Sequence, residues 1–438
     1  MLFDPIAALA TPPGRSALAV IRLSGEGAFE LAARIVEGFR PDPPRRARLA
    51  AFRAGDGSLI DRGVYLTFRG PASYTGEDLV EFSCHGGLVV PARLLAALQE
   101  AGARQPGPGE FTRRAVLHGK LDLAQAEAVG DLIDASAVAQ SRAALHQLEG
   151  GLSRRLAGLR QQLLQLEAML SYDIDFPEED EGPLARERVA AQLQETAVAI
   201  DSLLATAPAG QRLREGALLV LGGPPNAGKS SLFNALLGSD RALVTEIPGT
   251  TRDAVEAATE FLGWPVRLVD TAGLGETADP IDRMGQAMSR RYLEAADLVL
   301  LCVPLNEVAE EDGKERVLLV RTKSDLFPAG GPGLPVSVLT GEGLDRLRRK
   351  VAERLFGFRL ALADLEPVLT RERHRVALER ARAALAGAAP FLRSGPEGDA
   401  VLAAHHVREA VRALEELVGA VDLEEVLDRM FASFCVGK

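Results

Sequence analysis

One short segment, GGPPNAGKSS, constrains the fold of this 438-residue chain more than any other. Gly223, Gly228, Lys229 and Ser230 fit the pattern G-x-x-x-x-G-K-S, between an apolar strand-like run and a helical pattern. Glycines let backbone N–H groups approach phosphates, and a helix N-terminus adds partial positive charge. We therefore expect a phosphate loop between a strand and a helix, with Lys229 on the β- and γ-phosphates and Ser230 on Mg²⁺.

Three further motifs follow the phosphate loop in order. GTTRD (Gly249–Asp253) suits a switch loop that offers a threonine to Mg²⁺. DTAG (Asp270–Gly273) ends an apolar strand, where the aspartate would hold Mg²⁺ through water and the last glycine N–H would meet the γ-phosphate. TKSD (Thr322–Asp325) ends another strand, and Asp325 can accept hydrogen bonds from the N1–H and N2–H₂ edge of guanine, which adenine lacks. The ordered set predicts an enzyme that hydrolyses GTP.

Two features depart from the usual GTPase pattern. Thr322 takes the place of the asparagine in N-K-x-D. That asparagine normally ties the loop to the phosphate loop, so we expect GTP specificity through Asp325 but a lower affinity. Only Pro304–Arg316 separates two predicted strands, which barely accommodates a parallel crossover. The helix between these strands is expected to be short or absent.

Composition narrows the class of protein. The apolar fraction of 47% and the charged fraction of 25% are typical of a soluble globular protein. No apolar run is long enough to span a bilayer, and the N-terminus lacks a secretory signal pattern. Three widely spaced cysteines, Cys84, Cys302 and Cys435, make neither a disulfide framework nor a metal cluster. We expect a reducing cytoplasm as the compartment.

The net charge of −11 argues against electrostatic capture of nucleic acid by the whole chain. The charge is uneven, because residues 1–118 carry 14 Arg, no Lys and 12 acidic residues. That segment is slightly positive while the remainder is strongly negative. We therefore expect any RNA contact on the N-terminal part or on a partner.

Composition shifts divide the chain into four segments. Residues 1–118 alternate β-like runs such as ALAVIRLSG with turns, and they carry a predicted helix at 87–102, which indicates an α+β domain. Residues 119–214 and 359–438 are helical in pattern. Residues 215–358 contain continuous apolar runs, such as the strand predicted at 217–222 and the strand LPVSV, typical of parallel strands covered on both faces. We expect one bundle with the α/β domain inserted into it; two independent helical domains are the alternative.

The segments GPPNAGKSSLFNALLG, VTEIPGTTRDAV and DTAGL, with FCVGK at the C-terminus, resemble the MnmE (TrmE) family of tRNA-modification GTPases over essentially the whole chain. The resemblance implies a multidomain α+β and α/β fold. Its parts are an N-terminal tetrahydrofolate-binding-like α+β domain that dimerises, a discontinuous helical bundle and an inserted Ras-like P-loop GTPase domain.

The same resemblance implies the chemistry and the partners. A homodimer would act with the flavoprotein MnmG, as a heterotetramer, to place a (carboxymethyl)aminomethyl group on C5 of the wobble uridine of certain tRNAs. The one-carbon unit would come from 5-formyl- or 5,10-methylene-tetrahydrofolate, while FAD and NADH act on the partner. GTP hydrolysis would drive rearrangement of the complex.

GTPase domains of the family pair across the nucleotide, with K⁺ in place of an arginine finger. The resemblance assigns K⁺ to Asn226, Thr245, Ile247 and Thr250, and Mg²⁺ to Ser230 and Thr251. Asn226 as a loop cap is the alternative. The full set of implied nucleotide contacts is Asn226, Ala227, Gly228, Lys229, Ser230, Ser231, Thr245, Glu246, Ile247, Pro248, Gly249, Thr250, Thr251, Asp270, Thr271, Ala272, Gly273, Thr322, Lys323, Ser324, Asp325, Ser337, Val338 and Leu339.

Catalysis of GTP hydrolysis is assigned to Lys229, Thr251 and Asp282. The family carries a glutamate downstream of D-T-A-G, and the matching Asp282 is one methylene shorter. Glu276 and Asp279 are nearby alternatives for activating water. Asp282 also stands where a helix is predicted to begin, and a solvated acid is favoured there in any case.

For folate, the family positions map to Arg22, Glu81, Lys120 and the terminal Lys438. A pterin presents a donor-rich edge suited to a carboxylate, while arginine and lysine can hold a glutamate tail or a formyl oxygen. We expect the C-terminal tail to bring Cys435 to this pocket, where a thiolate would assist one-carbon transfer. The alternative is that the tail merely closes the pocket.

The sequence context of the other two cysteines, Cys84 and Cys302, predicts where they lie. Cys84, followed by His85, is expected in a turn near the folate pocket rather than on a metal, and Cys302 is expected in the core.

A regulatory or ribosome-assembly GTPase without folate chemistry is the first alternative function. A folate-dependent transferase with a degenerate GTPase is the second.

Overall fold

The computed structural model describes residues 4–175, 186–238, 255–270, 290–305, 315–326, 331–357, 368–393 and 399–418, with Leu427, Met430, Phe431, Phe434 and Gly437. The chain divides into two compact units. The first unit comprises Met1–Gly130 with Glu415–Lys438, and the second unit comprises Asp131–Leu414. In the ranges just given, the helices are all too short or too polar to cross a membrane.

An antiparallel sheet forms the frame of the first unit. Its described strands are β1 (Ile6–Leu9), β2 (Leu18–Ser24), β3 (Arg48–Arg53), β4 (Leu59–Phe68) and β5 (Leu79–His85), in the order β1-β2-β5-β4-β3. Side chains alternate along a strand, so Ile21, Leu23 and Phe82 share one face. That face is the core, and it packs against α1 (Ala28–Ile35) and α2 (Val89–Ala101).

The other face of this sheet carries polar residues and is partly covered by α3 (Glu110–Leu117). Ile6 and Ala8 of β1 pack there on Phe111 of α3, next to Tyr74. Helix α4 (Leu123–Asp134) follows, and its residues Leu123 and Ala126 form a separate small core with Leu427 and Phe431 near the C-terminus. Residues from both ends of the chain therefore build the first unit.

The second unit combines a helical part with a nucleotide-binding part. Its described elements are α5 (Val138–Leu148), α6 (Gly151–Asp175), α7 (Arg186–Leu204), α8 (Ala207–Glu215), β6 (Ala217–Gly222), α9 (Lys229–Leu237), β7 (Val255–Phe261), β8 (Trp264–Asp270), β9 (Leu298–Pro304), β10 (Val317–Thr322), β11 (Leu334–Pro335), α10 (Leu344–Phe356), α11 (Glu372–Arg393) and α12 (Ala400–Val418). Helix α11 packs along α7, and Arg382 binds Asp201 across them at 2.8 Å. Helices from before and after the nucleotide-binding part thus pack together.

The sheet of the nucleotide-binding part has the order β11-β10-β9-β6-β8-β7 among the described strands. Strand β7 pairs antiparallel with β8, and the other neighbours pair in parallel. Every residue of β6 is buried, as expected for a strand covered on both faces. The carboxyl ends of β6, β8 and β10 lie on one edge of the sheet, where α/β proteins bind ligands.

A joint connects the helical part to the nucleotide-binding part. The Ala139 amide at the start of α5 donates to the Gly263 carbonyl at the β7–β8 turn, at 2.8 Å. Trp264 stacks on Phe356 with ring centroids 4.6 Å apart, and both pack with Leu213. We call this set of contacts the Trp264 joint.

The mixed α/β architecture with a helical domain and a P-loop sheet agrees with the sequence prediction. The β7–β8 hairpin was not predicted, and β11 is shorter than the predicted strand LPVSV. Most of the crossover between β9 and β10, residues 306–314, lies outside the described residues. Its predicted lack of a full helix therefore stays a prediction.

Candidate functional site

The phosphate loop joins β6 to α9, and two glycines determine its course. Gly223 has φ +137°, and a Cβ there would lie 2.1 Å from the carbonyl oxygen of Cys302, so no other residue fits. Gly228 caps α9 at φ +83°, and a Cβ there would meet no atom within 4 Å. No atom of the described residues therefore crowds Gly228 at the N-terminus of α9, and a helix N-terminus of this kind can bind phosphate.

Lys229 is the first residue of α9 and is 8% exposed. Its Nζ donates to the carbonyl oxygens of Gly223 and Pro224, at 2.9 and 2.8 Å. The loop thus holds the ammonium group at its centre. Ser230 and Ser231 follow at the exposed start of the helix, and their contact with a nucleotide stays a prediction.

The TKSD segment contacts the phosphate loop directly. The buried hydroxyl of Thr322 donates to the Ala227 carbonyl at 2.7 Å, and Lys323 Nζ donates to the Asn226 carbonyl at 2.8 Å. The threonine hydroxyl therefore supplies a tie to the phosphate loop at the position where asparagine usually does. The lower GTP affinity expected from this substitution stays a prediction.

Asp325 is anchored on its other side by the segment after β11. Ser337 Oγ donates to Asp325 Oδ1 at 2.6 Å, and the Ser324 amide donates to the Val336 carbonyl at 3.3 Å. Leu339 nearby is 85% exposed, and Val338 is 37% exposed. The structure therefore brings the predicted base-reading residues to the same sheet edge as the phosphate loop.

Asp270 ends β8 at this edge and is 5% exposed. Its carboxylate and the Ser230 hydroxyl carry oxygen atoms, the type of atom that Mg²⁺ prefers. Within the described ranges, no group of three or more His, Cys, Asp or Glu side chains could hold a metal ion. A hydroxyl and a carboxylate fit a magnesium ion whose other ligands are phosphate and water.

Many predicted site residues lie outside the described residues. In the nucleotide site these are Thr245, Glu246, Ile247, Pro248, Gly249, Thr250, Thr251, Thr271, Ala272, Gly273 and Asp282, with the alternatives Glu276 and Asp279. In the proposed folate site they are Cys435 and Lys438. Their assignments stay predictions.

Arg22 and Glu81 lie opposite one another in the register of β2 and β5. Arg22 Nε donates to Glu81 Oε1 at 2.9 Å, and both side chains are about a quarter exposed. The guanidinium group of Arg22 also lies over the ring of Tyr74, 5.3 Å from its centroid, within range of a cation–π interaction. Two predicted residues that are 59 positions apart in sequence therefore form one pair.

Tyr74 is a residue that the sequence did not single out. Its hydroxyl pairs with the Thr112 hydroxyl of α3 at 2.8 Å, and burial raises the pKa of the phenol. The only sequence signal was an aromatic residue in a loop rich in Gly, Pro and Ser. An isolated tyrosine in such a loop gives no indication of the arginine that it will contact.

Lys120 and Gly437 both belong to the first unit, and each contacts a segment near Arg22. Lys120 Nζ donates to the carbonyl of Pro71, in the loop that carries Tyr74. Gly437 has φ +104°, and a Cβ there would lie 2.3 Å from the Leu9 carbonyl of β1. Gly437 therefore lies against β1, which pairs with the strand that carries Arg22.

The two described cysteines are buried thiols. Burial raises the pKa of Cys84 to about 11 and that of Cys302 to about 12, so both stay protonated and unreactive. Cys84 was expected in a turn near the folate pocket, which is wrong. It belongs to β5 and lies in the core, on the opposite face of the sheet from Glu81.

Two family models match the chain. The model described as "MnmE helical domain" matches residues 123–435, and the model described as "GTP-binding protein TrmE N-terminus" matches residues 5–120. Together they account for nearly the whole sequence.

Two curated relatives, both called tRNA modification GTPase MnmE, match along their full length. A relative from Thermus thermophilus is 48% identical over 448 residues, and a relative from Moorella thermoacetica is 41% identical over 466 residues. Each alignment covers 100% of both chains. Among solved structures, the G domain of the T. maritima FeoB iron transporter is 29% identical over 32% of this chain and 98% of its own, with a TM-score of 0.25. That score is too low to support an argument.

Proposed function

We propose a function for each of the two candidate sites, because the chain belongs to the MnmE family of tRNA modification GTPases. Members of this family hydrolyse GTP in tRNA modification. Together with the flavoprotein MnmG, the protein installs a (carboxymethyl)aminomethyl group on C5 of the wobble uridine of certain tRNAs. The carbon comes from a tetrahydrofolate bound by the first unit. The protein works as a dimer through this unit.

GTP is the substrate of the second unit. The open N-terminus of α9 binds the phosphates, and Lys229 exchanges its two carbonyl acceptors for phosphate oxygens. Asp325, held by Ser337, reads the guanine base. Ser230, and Asp270 through water, would hold a Mg²⁺ ion, which would supply positive charge beside the phosphates.

Asn226 would help to hold a potassium ion at the same nucleotide site when two nucleotide-binding domains pair. Asn226 supports this assignment, because it lies in the phosphate loop at φ +63° with an exposed side chain. A side-chain amide oxygen and backbone carbonyls suit an alkali metal ion. The bound ion would neutralise charge that develops during phosphoryl transfer.

The Arg22–Glu81 pair under Tyr74 is the observation that carries the folate proposal. A carboxylate, a guanidinium group and an aromatic ring on one partly exposed surface match the hydrogen-bonding edge, the anionic tail and the flat rings of a folate. Lys120 contacts the loop that carries Tyr74, and Gly437 lies against β1 next to this surface. Arg22 is already oriented by Glu81 and Tyr74, so binding needs little ordering of this side chain.

Folate binding and tRNA analysis together test the proposal. We expect 5-formyltetrahydrofolate to bind the full-length protein, and Arg22→Ala to weaken that binding roughly tenfold or more, as loss of a charge-assisted hydrogen bond predicts. In cells that lack the wild-type protein, Arg22→Ala should fail to restore the modified wobble nucleoside, as measured by mass spectrometry of tRNA digests.

Arg93→Ala is the matched control, since Arg93 is an exposed arginine of the same unit whose guanidinium group donates to Ser58 Oγ. It should leave folate binding and tRNA modification intact. Failure of the wild-type protein to bind folate, with normal wobble nucleosides in cells expressing Arg22→Ala, would favour a regulatory or ribosome-assembly GTPase instead.

A further inference from the structure

The guanine-reading loop is held against the phosphate loop by the residue at which TKSD departs from N-K-x-D. Thr322 ends β10, is 4% exposed, and donates from Oγ1 to the Ala227 carbonyl at 2.7 Å. A backbone carbonyl can only accept, so the single hydroxyl hydrogen is committed to this bond. We propose that Thr322 is a positioning residue for GTP binding, whose hydroxyl keeps the phosphate loop in its binding conformation. This inference rests on the nucleotide site proposed above.

The phosphate loop needs such support because of its backbone conformation. Asn226 has φ +63°, in the left-handed region that residues other than glycine rarely adopt. Conformations of this kind persist only where surrounding contacts hold them. The carbonyls of Asn226 and Ala227 each accept a hydrogen bond from the TKSD segment, one from Lys323 and one from Thr322. Two adjacent side chains therefore fix two adjacent peptide groups of the loop.

Burial makes the Thr322 bond the more important of the two. Both Thr322 and Ala227 are buried, whereas the Lys323–Asn226 bond is exposed. Water can replace the lost donor at an exposed carbonyl but not at a buried one, so an unpaired buried acceptor is costly. Removal of the Thr322 hydroxyl should therefore disturb the loop at Ala227.

Base recognition has its own anchor, separate from Thr322. Ser337 Oγ holds Asp325, and the Val336 carbonyl accepts from the Ser324 amide. Asp325 therefore keeps its orientation when the Thr322 hydroxyl is removed. The two ends of this short segment therefore have different roles. Thr322 supports the phosphate loop, and Asp325 binds the guanine base.

Binding constants for GDP and IDP separate these tasks. IDP lacks the N2 amino group of guanine, so the ratio of its Kd to that of GDP reports on Asp325. In the full-length protein, we expect Thr322→Val to raise the Kd for GDP roughly tenfold, the factor that corresponds to about 1.4 kcal/mol for a buried hydrogen bond. The Kd for IDP should rise by the same factor, leaving the ratio unchanged. Asp325→Asn should instead collapse the ratio.

Three variants serve as controls. Thr322→Ser and Thr322→Asn keep a donor and should bind GDP near the wild-type Kd, which also keeps the test decisive if the valine variant does not fold. Thr259→Val makes the same chemical change on β7, away from the nucleotide, and should change nothing. Thermal unfolding of each protein without nucleotide monitors the fold.

Three results would overturn the inference. They are an unchanged Kd for GDP in Thr322→Val, a loss of affinity in Thr322→Ser as large as in Thr322→Val, or a shift in the IDP-to-GDP ratio in Thr322→Val. Failure of the wild-type protein to bind any guanine nucleotide would instead refute the proposed nucleotide site itself.

Discussion

At the scale of single residues, Arg114 shows how the first unit tolerates a buried charge. Its side chain is 1% exposed, and carboxylates of Glu77, Asp4 and Glu110 surround the guanidinium group. A buried charge is tolerated only when it is paired and hydrogen-bonded. Burial by itself would raise the pKa of Glu110, but hydrogen bonds from Arg104, the Gly107 amide and Arg114 lower it to about 2.

This network predicts acid sensitivity in the first unit. The folded pKa of Glu110 lies below its usual 4.5, so the charged form stabilises the fold above pH 4.5, and this stabilisation is lost as the pH falls towards 2. We expect Glu110→Gln to lower stability by about 2 kcal/mol at pH 7 and to flatten the pH dependence between these values. Hydrogen exchange of β1–β5 amides in the full-length protein measures both effects. Parallel pH profiles for the two proteins would contradict this account.

The sequence predicted residues whose role follows from a chemically specific motif. Lys229 contacts the phosphate loop, and Asp325 belongs to the short segment that reaches that loop through Lys323, because a G-K-S or K-x-D spacing permits few geometries. Their roles towards GTP stay predictions. The Thr322 hydrogen bond was missed, since it depends on how closely two distant loops approach. Tyr74 and Arg114 were missed for the same reason. Their partners come from segments far away in the sequence.

At the scale of elements, long regular patterns were predicted and short or polar ones were not. Helix α2 matches the predicted range 87–102 to within two residues, and β6 was predicted in full. Strand β1 has only four residues, too few for a periodic signal. Strand β7, VEAATEF, is polar and lies at the edge of its sheet, so it lacks the apolar run of a central strand.

The close approach of Gly437 to β1 leads to a prediction about folate affinity. A Cβ at Gly437 would lie 2.3 Å from the Leu9 carbonyl, so Gly437→Ala should displace the segment from β1. We expect folate affinity to fall roughly tenfold, equivalent to about 1.4 kcal/mol, as measured by calorimetry. Gly87→Ala is the matched control, because Gly87 has a similar φ of +119° but open space around its Cβ position. Equal effects of the two variants would mean that backbone conformation, not contact with β1, is responsible.

At the scale of the whole molecule, the two proposed chemistries belong to different units. The chain starts in the first unit, forms the second, and returns to the first with Glu415–Lys438. The proposed folate residues Arg22, Glu81 and Lys120 belong to the first unit, and the phosphate loop belongs to the second. A complete folate site as proposed therefore needs both ends of the polypeptide.

The proposed pairing of two nucleotide-binding domains leads to a prediction about the rate of GTP hydrolysis by the intact protein. If two domains must meet around K⁺, the rate of GTP hydrolysis per molecule should fall when the protein is diluted. The rate should also fall when Na⁺ replaces K⁺, by about tenfold or more, because K⁺ takes the place of an arginine finger. Phosphate release measured over a range of protein concentrations in each salt tests this. Equal rates per molecule at every concentration and in both salts would refute the paired mechanism.

The Trp264 joint has a practical consequence. Trp264 is the single tryptophan of the chain, is 3% exposed, and stacks on Phe356 where the helical part meets the nucleotide-binding part. The strand that it begins, β8, runs directly to Asp270 at the nucleotide edge. Intrinsic emission excited at the indole band therefore originates from this one location, so the unlabelled protein carries an optical probe of any rearrangement there during the nucleotide cycle.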